Sequence, residues 1–275
     1  MRGSVPTSHS RSLTGPSLAP GTIVDRASRQ AACEAAAGYE PAPQENRKYC
    51  QDRAGAADYG VGMTTKLDLY QLNKAEYAAP RQPVLLRTAK ATYLGIAGRG
   101  APGGEAFQQA IGALYSVAFT VKMASKFAGR DYGVCKLEGL LWADSGRDLS
   151  TEPKDQWWWR LVIRTPDFIG KREMEAARKQ LAAKGKDPRF QEGERTTLSE
   201  GRCVQMLHIG SYDREAETVA RMEAFAKEQG YRLEGHCHEI YLNDPRRVAA
   251  ERLRTILRMP VSAIRSTKSG RGTLA

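Results

Sequence analysis

The side chain best placed to do chemistry in this sequence is a glutamate in the middle of an apolar strand. Glu239 follows His238 and precedes Ile240. Because side chains alternate between the two faces of a strand, Glu239 shares its face with Cys237 and Tyr241. A carboxylate among apolar neighbours is costly unless it is paired or functional. We therefore predict that Glu239 meets a ligand, either as a general base that takes a proton from water or as the counter-ion of a cation.

Aromatic side chains that could hold a flat ligand accompany this glutamate. Tyr115 and Phe119 are four residues apart on a helix and share a face. Trp157 and Trp159 share one face of a strand. Phenol O–H and indole N–H groups can orient the polar edge of a bound ring, although core packing also accounts for many such residues. The predicted catalytic set is Glu239, Tyr115, Tyr132 and Tyr241, and the predicted substrate contacts are Phe119, Trp142, Trp157, Trp159, Met206 and His208.

Two further motifs suggest cofactors but lack the necessary context. Gly98 opens a GxGxxG pattern between a strand and a helix, as in dinucleotide-binding loops. Pro102 stiffens that loop, however, and no strand ending in an acidic residue follows it at the required distance. His236 and His238 could share a strand face, but no third ligand has metal-binding spacing. We therefore expect no nucleotide, metal or organic cofactor.

The elements that carry these residues occur in two similar passages, roughly a hundred residues apart. The hydrophobic periodicity of each passage predicts a strand, a helix and a further strand. These are 91–96, 105–127 and 132–142 in the first passage, and 203–209, 214–229 and 231–242 in the second. A strand at 157–164 and a polar helix at 171–184 lie between them. We predict an α+β fold of duplicated strand–helix–strand–strand units, forming a pseudo-twofold antiparallel sheet with helices on one face and a central ligand groove.

The composition divides the chain into three parts. Residues 1–60 have few large apolar side chains, so we predict a disordered N-terminal extension. Residues 61–261 form the predicted binding domain, and 262–275 a basic flexible tail. No apolar stretch approaches the roughly 20 residues that span a bilayer. The five scattered cysteines include no CxxC pair, which favours a reducing, cytoplasmic location.

The formal net charge of +11 raises the question of nucleic-acid binding. Acidic residues are mixed with the basic ones through the middle of the chain, and no basic helix or run with interleaved aromatics is present. We therefore expect no direct contact with nucleic acid and none with a membrane.

Four segments, in order, resemble the GyrI-like family of small-molecule-binding domains. They read FQQAIGALYSVAFTVK at 107–122, LEGLLW at 137–142, VQMLHIGSYD at 204–213 and HEIYLNDPRR at 238–247. The resemblance implies a pseudo-twofold fold with a pocket between its halves that takes flat aromatic, hydrophobic or cationic small molecules. It also implies that Glu239 faces the ligand. No winged-helix segment is recognisable before the domain, which argues against a transcription regulator.

One branch of this family hydrolyses the cyclopropane ring of spirocyclopropyl-cyclohexadienone DNA alkylators and so protects the cell that makes them. The resemblance therefore suggests a cofactor-independent cyclopropyl hydrolase with Glu239 as its base. The alternative is a non-catalytic protein that sequesters a drug in the same pocket. A third hypothesis, suggested by the family name, is an inhibitory partner of a DNA topoisomerase, for which no interaction surface is recognisable.

Overall fold

The computed structural model describes residues 66–78, 80–146 and 149–264. The predictions for residues 1–60 and for residues 265–275 of the basic tail lie outside the described residues.

The described chain alternates strands with helices. Its strands are β1 (Val84–Arg87), β2 (Ala91–Arg99), β3 (Leu137–Trp142), β4 (Trp158–Arg164), β5 (Glu194–Leu198), β6 (Arg202–Ile209), β7 (Tyr231–Leu233), β8 (Cys237–Tyr241) and β9 (Arg254–Ala263). Its helices are α1 (Leu69–Leu72), α2 (Lys74–Tyr77), α3 (Glu105–Phe127), α4 (Lys171–Ala183) and α5 (Glu215–Glu228).

The strands form one antiparallel sheet in the order β1-β6-β9-β8-β3-β4-β2-β5, with β7 paired to β9. The sequence β2-α3-β3-β4 gives the strand order β2-β4-β3, and β6-α5-β8-β9 gives the matching order β6-β9-β8. The two halves meet where β3 pairs with β8. The predicted fold of duplicated strand–helix–strand–strand units is confirmed.

The long helices α3, α4 and α5 pack on one side of the sheet, which we call the front face. Helices α3 and α4 bury the front of one half against residues such as Leu94 and Leu161. Helix α5 buries the front of the other half, where Met222 meets Met206 and Leu257. Because each helix covers its own half, the β3–β8 pair at the centre is left without a helix above it.

The opposite side, the back face, carries an element that the periodicity did not predict there. Glu76 of α2 forms an ion pair with Arg164 of β4, at 2.7 Å between Oε2 and Nη1. The neighbouring Tyr77 donates to Glu138 of β3 at 3.0 Å. The short α2 is therefore anchored to the back face by polar contacts.

Two predicted strands are shorter than expected. Strand β3 begins at Leu137, and Tyr132 instead forms an isolated bridge with Leu67. The predicted strand 231–242 is interrupted between β7 and β8, where Gly235 has a φ of 79°. A positive φ ends the extended conformation, so β7 pairs with the end of β9 while β8 starts afresh beside β3.

The glycine-rich loop after β2 has a packing explanation. A Cβ on Gly98 would lie 2.2 Å from the indole ring of its cross-strand partner Trp159. Gly98 therefore leaves the space into which Trp159 packs. Gly100 and Gly103, with φ values of 118° and 104°, turn the chain into α3.

Within the described residues, every helix is too short or too polar to cross a bilayer.

Candidate functional site

A cavity of about 1220 Å³ lies on the front face above the β3–β8 pair, between α3 and α5. Leu137 and Leu141 of β3 form one part of its floor. Cys237, Glu239 and Tyr241 of β8 form the other. These residues share a face because they alternate along neighbouring strands. The cavity lies between the halves, where we predicted a groove. It exists because no helix covers the centre of the sheet.

Helix α3 supplies an aromatic and aliphatic wall. Phe107, Ile111, Tyr115 and Phe119 follow one another at intervals of four residues and all line the cavity. The rings of Tyr115 and Phe119 are stacked, with centroids 6.0 Å apart and planes 28° apart. Burial raises the pKa of Tyr115, so its hydroxyl stays protonated and able to donate at neutral pH.

Helix α5 supplies a wall of different character. Glu215, Val219 and Glu223 recur every four residues and line the cavity opposite α3. Sequence reasoning missed these glutamates, although their spacing beside the apolar face of α5 was a usable signal. They make this wall acidic where that of α3 is apolar.

Glu239 is held at the floor by a neighbour on its own strand. The hydroxyl of Tyr241 donates to Oε2 of Glu239 at 2.9 Å. Burial and then the charge of Glu239 raise the pKa of Tyr241 well above its usual range, so the phenol keeps its proton and acts as the donor. The ring of Tyr212 packs edge-on against Tyr241 with centroids 6.0 Å apart. Glu239 as a whole is only 8% exposed, and the cavity above it has room for a ligand.

The rim of the cavity combines two stacked rings with a hydrogen-bonded indole. Trp142 stacks on His236 with centroids 4.3 Å apart and planes 9° apart. Trp157 donates its indole N–H to the backbone carbonyl of Glu152 at 3.1 Å, which fixes the ring. Trp142 ends β3, Trp157 immediately precedes β4, and His236 lies in the loop between β7 and β8.

The described lining is more acidic than the chain as a whole, whose net charge is +11. Carboxylates outnumber cationic groups, and His236 stays neutral because burial lowers its pKa. The acidic members are Glu152, Asp213, Glu215, Glu223, Glu234, Glu239 and Asp244, against Lys136, Lys154 and Arg246. Two cations are engaged locally, since Lys154 lies 3.7 Å from Asp213 and Arg246 lies 2.6 Å from Asp244. Such a lining attracts positive charge.

The structure brings six of the predicted site residues together in this lining. They are Glu239, Tyr115, Tyr241, Phe119, Trp142 and Trp157. The other four lie elsewhere, three of them in the core. Tyr132 packs edge-on against Phe168, Trp159 packs edge-on against Phe107, and Met206 belongs to the cluster beneath α5. The predicted contact of these three residues with a ligand is wrong, because they pack in the clusters that the helices cover.

His208, the fourth, has a structural environment. Its Nε2 lies 3.1 Å from the carbonyl of Ser211, and its Nδ1 lies 2.8 Å from Oγ1 of Thr218. A carbonyl can only accept, so Nε2 carries the proton and Nδ1 accepts from Thr218. Burial lowers the pKa of His208, which agrees with a neutral ring. The imidazole thus ties β6 to the start of α5.

The back face of the same two central strands holds a closed ionic network. His238 lies between two carboxylates, with Nε2 3.0 Å from Glu138 and Nδ1 3.0 Å from Glu200. An imidazole donates from both nitrogens only when it is protonated. Although burial opposes the charge, these carboxylates raise the pKa of His238 to about 9. Burial likewise opposes ionisation of Glu200, but His238 and Arg258 lower its pKa to about 2.

No group of three or more His, Cys, Asp or Glu side chains among the described residues is arranged to hold a metal ion. The two histidines that sequence reasoning weighed as ligands have different partners, since His236 stacks on Trp142 at the cavity rim and His238 is buried between Glu138 and Glu200.

Comparison with known proteins adds to this geometry. Residues 82–262 match the GyrI-like small-molecule-binding domain. The chain belongs to the GyrI-like family. Three solved structures from Listeria innocua cover 72% of this chain and 100% of their own: an uncharacterized conserved protein (35% identity, TM-score 0.67) and two named hydrolases (34% and 35% identity, TM-scores 0.65 and 0.66). No curated protein matches the chain.

Proposed function

We propose that this GyrI-like protein is a hydrolase that opens the cyclopropane ring of spirocyclopropyl-dienone DNA-alkylating compounds. The observation that carries the proposal is a buried carboxylate, Glu239, held by Tyr241 on the floor of a cavity with an aromatic wall. The two hydrolases among the similar structures support an enzymatic role. Such an activity would protect a cell that makes or meets these compounds.

In the proposed reaction, Glu239 takes a proton from a water molecule as the water oxygen attacks the unhindered CH₂ carbon of the ring. The bond from that carbon to the spiro carbon breaks. Its electron pair passes through the dienone to the carbonyl oxygen, which becomes a phenolate as the ring aromatises. The phenolate then takes up a proton, so the product is the substrate plus one water.

A donor near the dienone oxygen would stabilise the developing phenolate. Of the three predicted tyrosine donors, Tyr132 packs in the core and Tyr241 donates to Glu239. Tyr115 lines the cavity and keeps its proton because burial raises its pKa. We therefore assign the donor role to Tyr115. The wall that Phe107, Ile111 and Phe119 form would hold the flat substrate so that water and ring carbon are aligned.

The test is mass spectrometry of purified protein incubated with a spirocyclopropyl-cyclohexadienone. The proposal expects a product heavier by one water. Glu239→Gln keeps the size of the side chain and its acceptor oxygen but removes the base, so the rate should fall roughly 10²- to 10⁴-fold. Unchanged substrate after long incubation with the wild-type protein would overturn the proposal, and full activity of Glu239→Gln would overturn the assignment of the base.

The acidic lining favours a second candidate function, which is the sequestering of a cationic aromatic compound without turnover. In this case Glu239 would be a counter-ion, supported by carboxylates such as Glu215 and Glu223 of α5. N-methylacridinium and neutral acridine share their ring system and differ in charge at pH 7.5. Sequestration predicts tighter binding of the cation, weakened by salt and by Glu239→Gln, and no change in ligand mass. Equal affinities for the two compounds would contradict it.

A further inference from the structure

The residue opposite Glu239 on the neighbouring strand is a glycine. Gly139 of β3 pairs with Glu239 of β8. A Cβ built on Gly139 would lie 3.0 Å from the hydroxyl oxygen of Tyr241 and 3.6 Å from its Cε2. The Tyr241 ring therefore reaches towards β3, and its hydroxyl lies in tight contact with the position that a side chain at residue 139 would take.

The backbone does not explain this glycine. Gly139 lies within a regular strand and is absent from the described glycines with positive φ, so other residues could adopt its conformation. Glycine within a strand weakens it, because the backbone is more flexible and no side chain packs. The atom that a larger residue at position 139 would crowd most is the hydroxyl oxygen of Tyr241. This hydroxyl donates to Glu239 at 2.9 Å.

We infer that Gly139 is a positioning residue of the active site, which acts by leaving room for the Tyr241 hydroxyl to hold Glu239. The inference rests on the proposed function, in which Glu239 must present a fixed carboxylate to water. A methyl group at position 139 would lie 3.0 Å from the hydroxyl oxygen and crowd it in the position from which it donates to Oε2. The hydrogen bond from Tyr241 to the carboxylate is then weakened, while the aromatic wall on α3 is unchanged.

The test is a double-mutant cycle of Gly139→Ala and Tyr241→Phe, with kcat and KM measured on a spirocyclopropyl-cyclohexadienone. Gly139→Ala should lower kcat roughly 3- to 10-fold with little change in KM, because the contact of 3.0 Å displaces the hydroxyl by a few tenths of an ångström, and misplacement by a full ångström costs about 100-fold. Tyr241→Phe removes the oxygen that the methyl group would meet. Adding Gly139→Ala to Tyr241→Phe should therefore lower kcat no further.

Gly95→Ala is the matched control. Gly95 also lies within the sheet, and its Cβ would lie 3.3 Å from Cγ1 of Val162, a comparable crowding away from the cavity. This substitution should lower the unfolding midpoint and should do so equally in the wild-type and Tyr241→Phe proteins. A purely structural effect of an extra methyl group would make Gly139→Ala behave in the same additive way, and that result would overturn the inference.

The unfolding midpoint separates this inference from the proposed function. Gly139→Ala should lower the midpoint in the wild-type protein and lower it less in Tyr241→Phe, whether or not any substrate is turned over. If Gly139→Ala alone does not fold, the double variant should. A wild-type protein without turnover would overturn the proposed function, whereas equal midpoint shifts in both backgrounds, or full kcat in Gly139→Ala, would overturn the role of Gly139.

Discussion

Two buried glutamates on neighbouring central strands have opposite surroundings. Glu138 of β3 is fully buried on the back face, where His238 and Tyr77 both donate to it. Glu239 of β8 is nearly as buried on the front face, where Tyr241 donates to it below a cavity of about 1220 Å³. The two glutamates are one step apart in the pairing of β3 with β8, since Glu239 pairs with Gly139, the residue after Glu138.

The difference shows how one pair of strands can carry a carboxylate that stabilises the fold on one face and a carboxylate that is available to a ligand on the other. On the back face, a carboxylate enclosed by a protonated imidazole and a phenol contributes to the fold and has no room for a ligand. On the front face, a similar carboxylate accepts a hydrogen bond from Tyr241 and lies under an open volume. Because alternate residues of a strand point to opposite faces, a step of one residue changes the role of the side chain.

Removing the charge of each glutamate in turn should produce the largest contrast. Glu138→Gln leaves the buried His238 cation with one carboxylate fewer, so the free energy of unfolding should fall by about 3 kcal/mol. Glu239→Gln should change it by less than about 1 kcal/mol, since glutamine keeps the size of the side chain and an oxygen that accepts from Tyr241. Urea denaturation of both variants checks this, and equal losses would contradict the division of roles.

The network on the back face should also make stability depend on pH. His238, which faces Glu138, Glu200 and Arg258, has its pKa raised from 6.5 to about 9. A raised pKa contributes stability that is fully present below about pH 6.5 and is lost as the pH rises through 9. The loss should be on the order of 3 kcal/mol. Urea denaturation from pH 6 to 10 measures it, with His238→Gln as the control that should flatten the profile. Stability that holds constant through pH 9 would contradict the charge assigned to His238.

A pair of tyrosines gives a smaller contrast of the same kind. Tyr115 lines the cavity, whereas Tyr132 is 2% exposed and packs in the core. Tyr115→Phe should lower kcat roughly 10- to 100-fold with little loss of stability, because it removes a donor to the developing phenolate. Tyr132→Phe should leave kcat unchanged and cost about 1 kcal/mol of unfolding free energy. A slower Tyr132→Phe enzyme with an unaltered Tyr115→Phe enzyme would reverse the assignment.

The parts of the site that depend on local periodicity could be predicted from the sequence. Alternation along 237–241 placed Cys237, Glu239 and Tyr241 on one face, as the structure has them. The 3.6-residue period predicted helix α3 with the bounds that the structure has, Glu105–Phe127. The duplicated order of elements led to the correct sheet.

The rest depends on contacts that local patterns do not encode. Trp159 and Met206 face the same side of the sheet as Glu239, and periodicity cannot tell whether a helix or a cavity lies above them. Glu138 and His238 are 100 residues apart in the chain, so their contact leaves no local signal. The sequence analysis set His238 aside as a metal ligand but assigned it no other role, and it is the buried cation between two glutamates.

The origin of the oxygen in the product tests the central claim most directly. One equivalent of a spirocyclopropyl-cyclohexadienone is mixed with excess enzyme in H₂¹⁸O, so that each site turns over at most once, and the product is weighed by mass spectrometry. If Glu239 acts as a base on water, the product carries ¹⁸O in this single turnover. If Glu239 attacks the ring itself and the resulting ester is then hydrolysed, the product carries ¹⁶O and the label appears on Glu239, which would contradict the role of this carboxylate as a base.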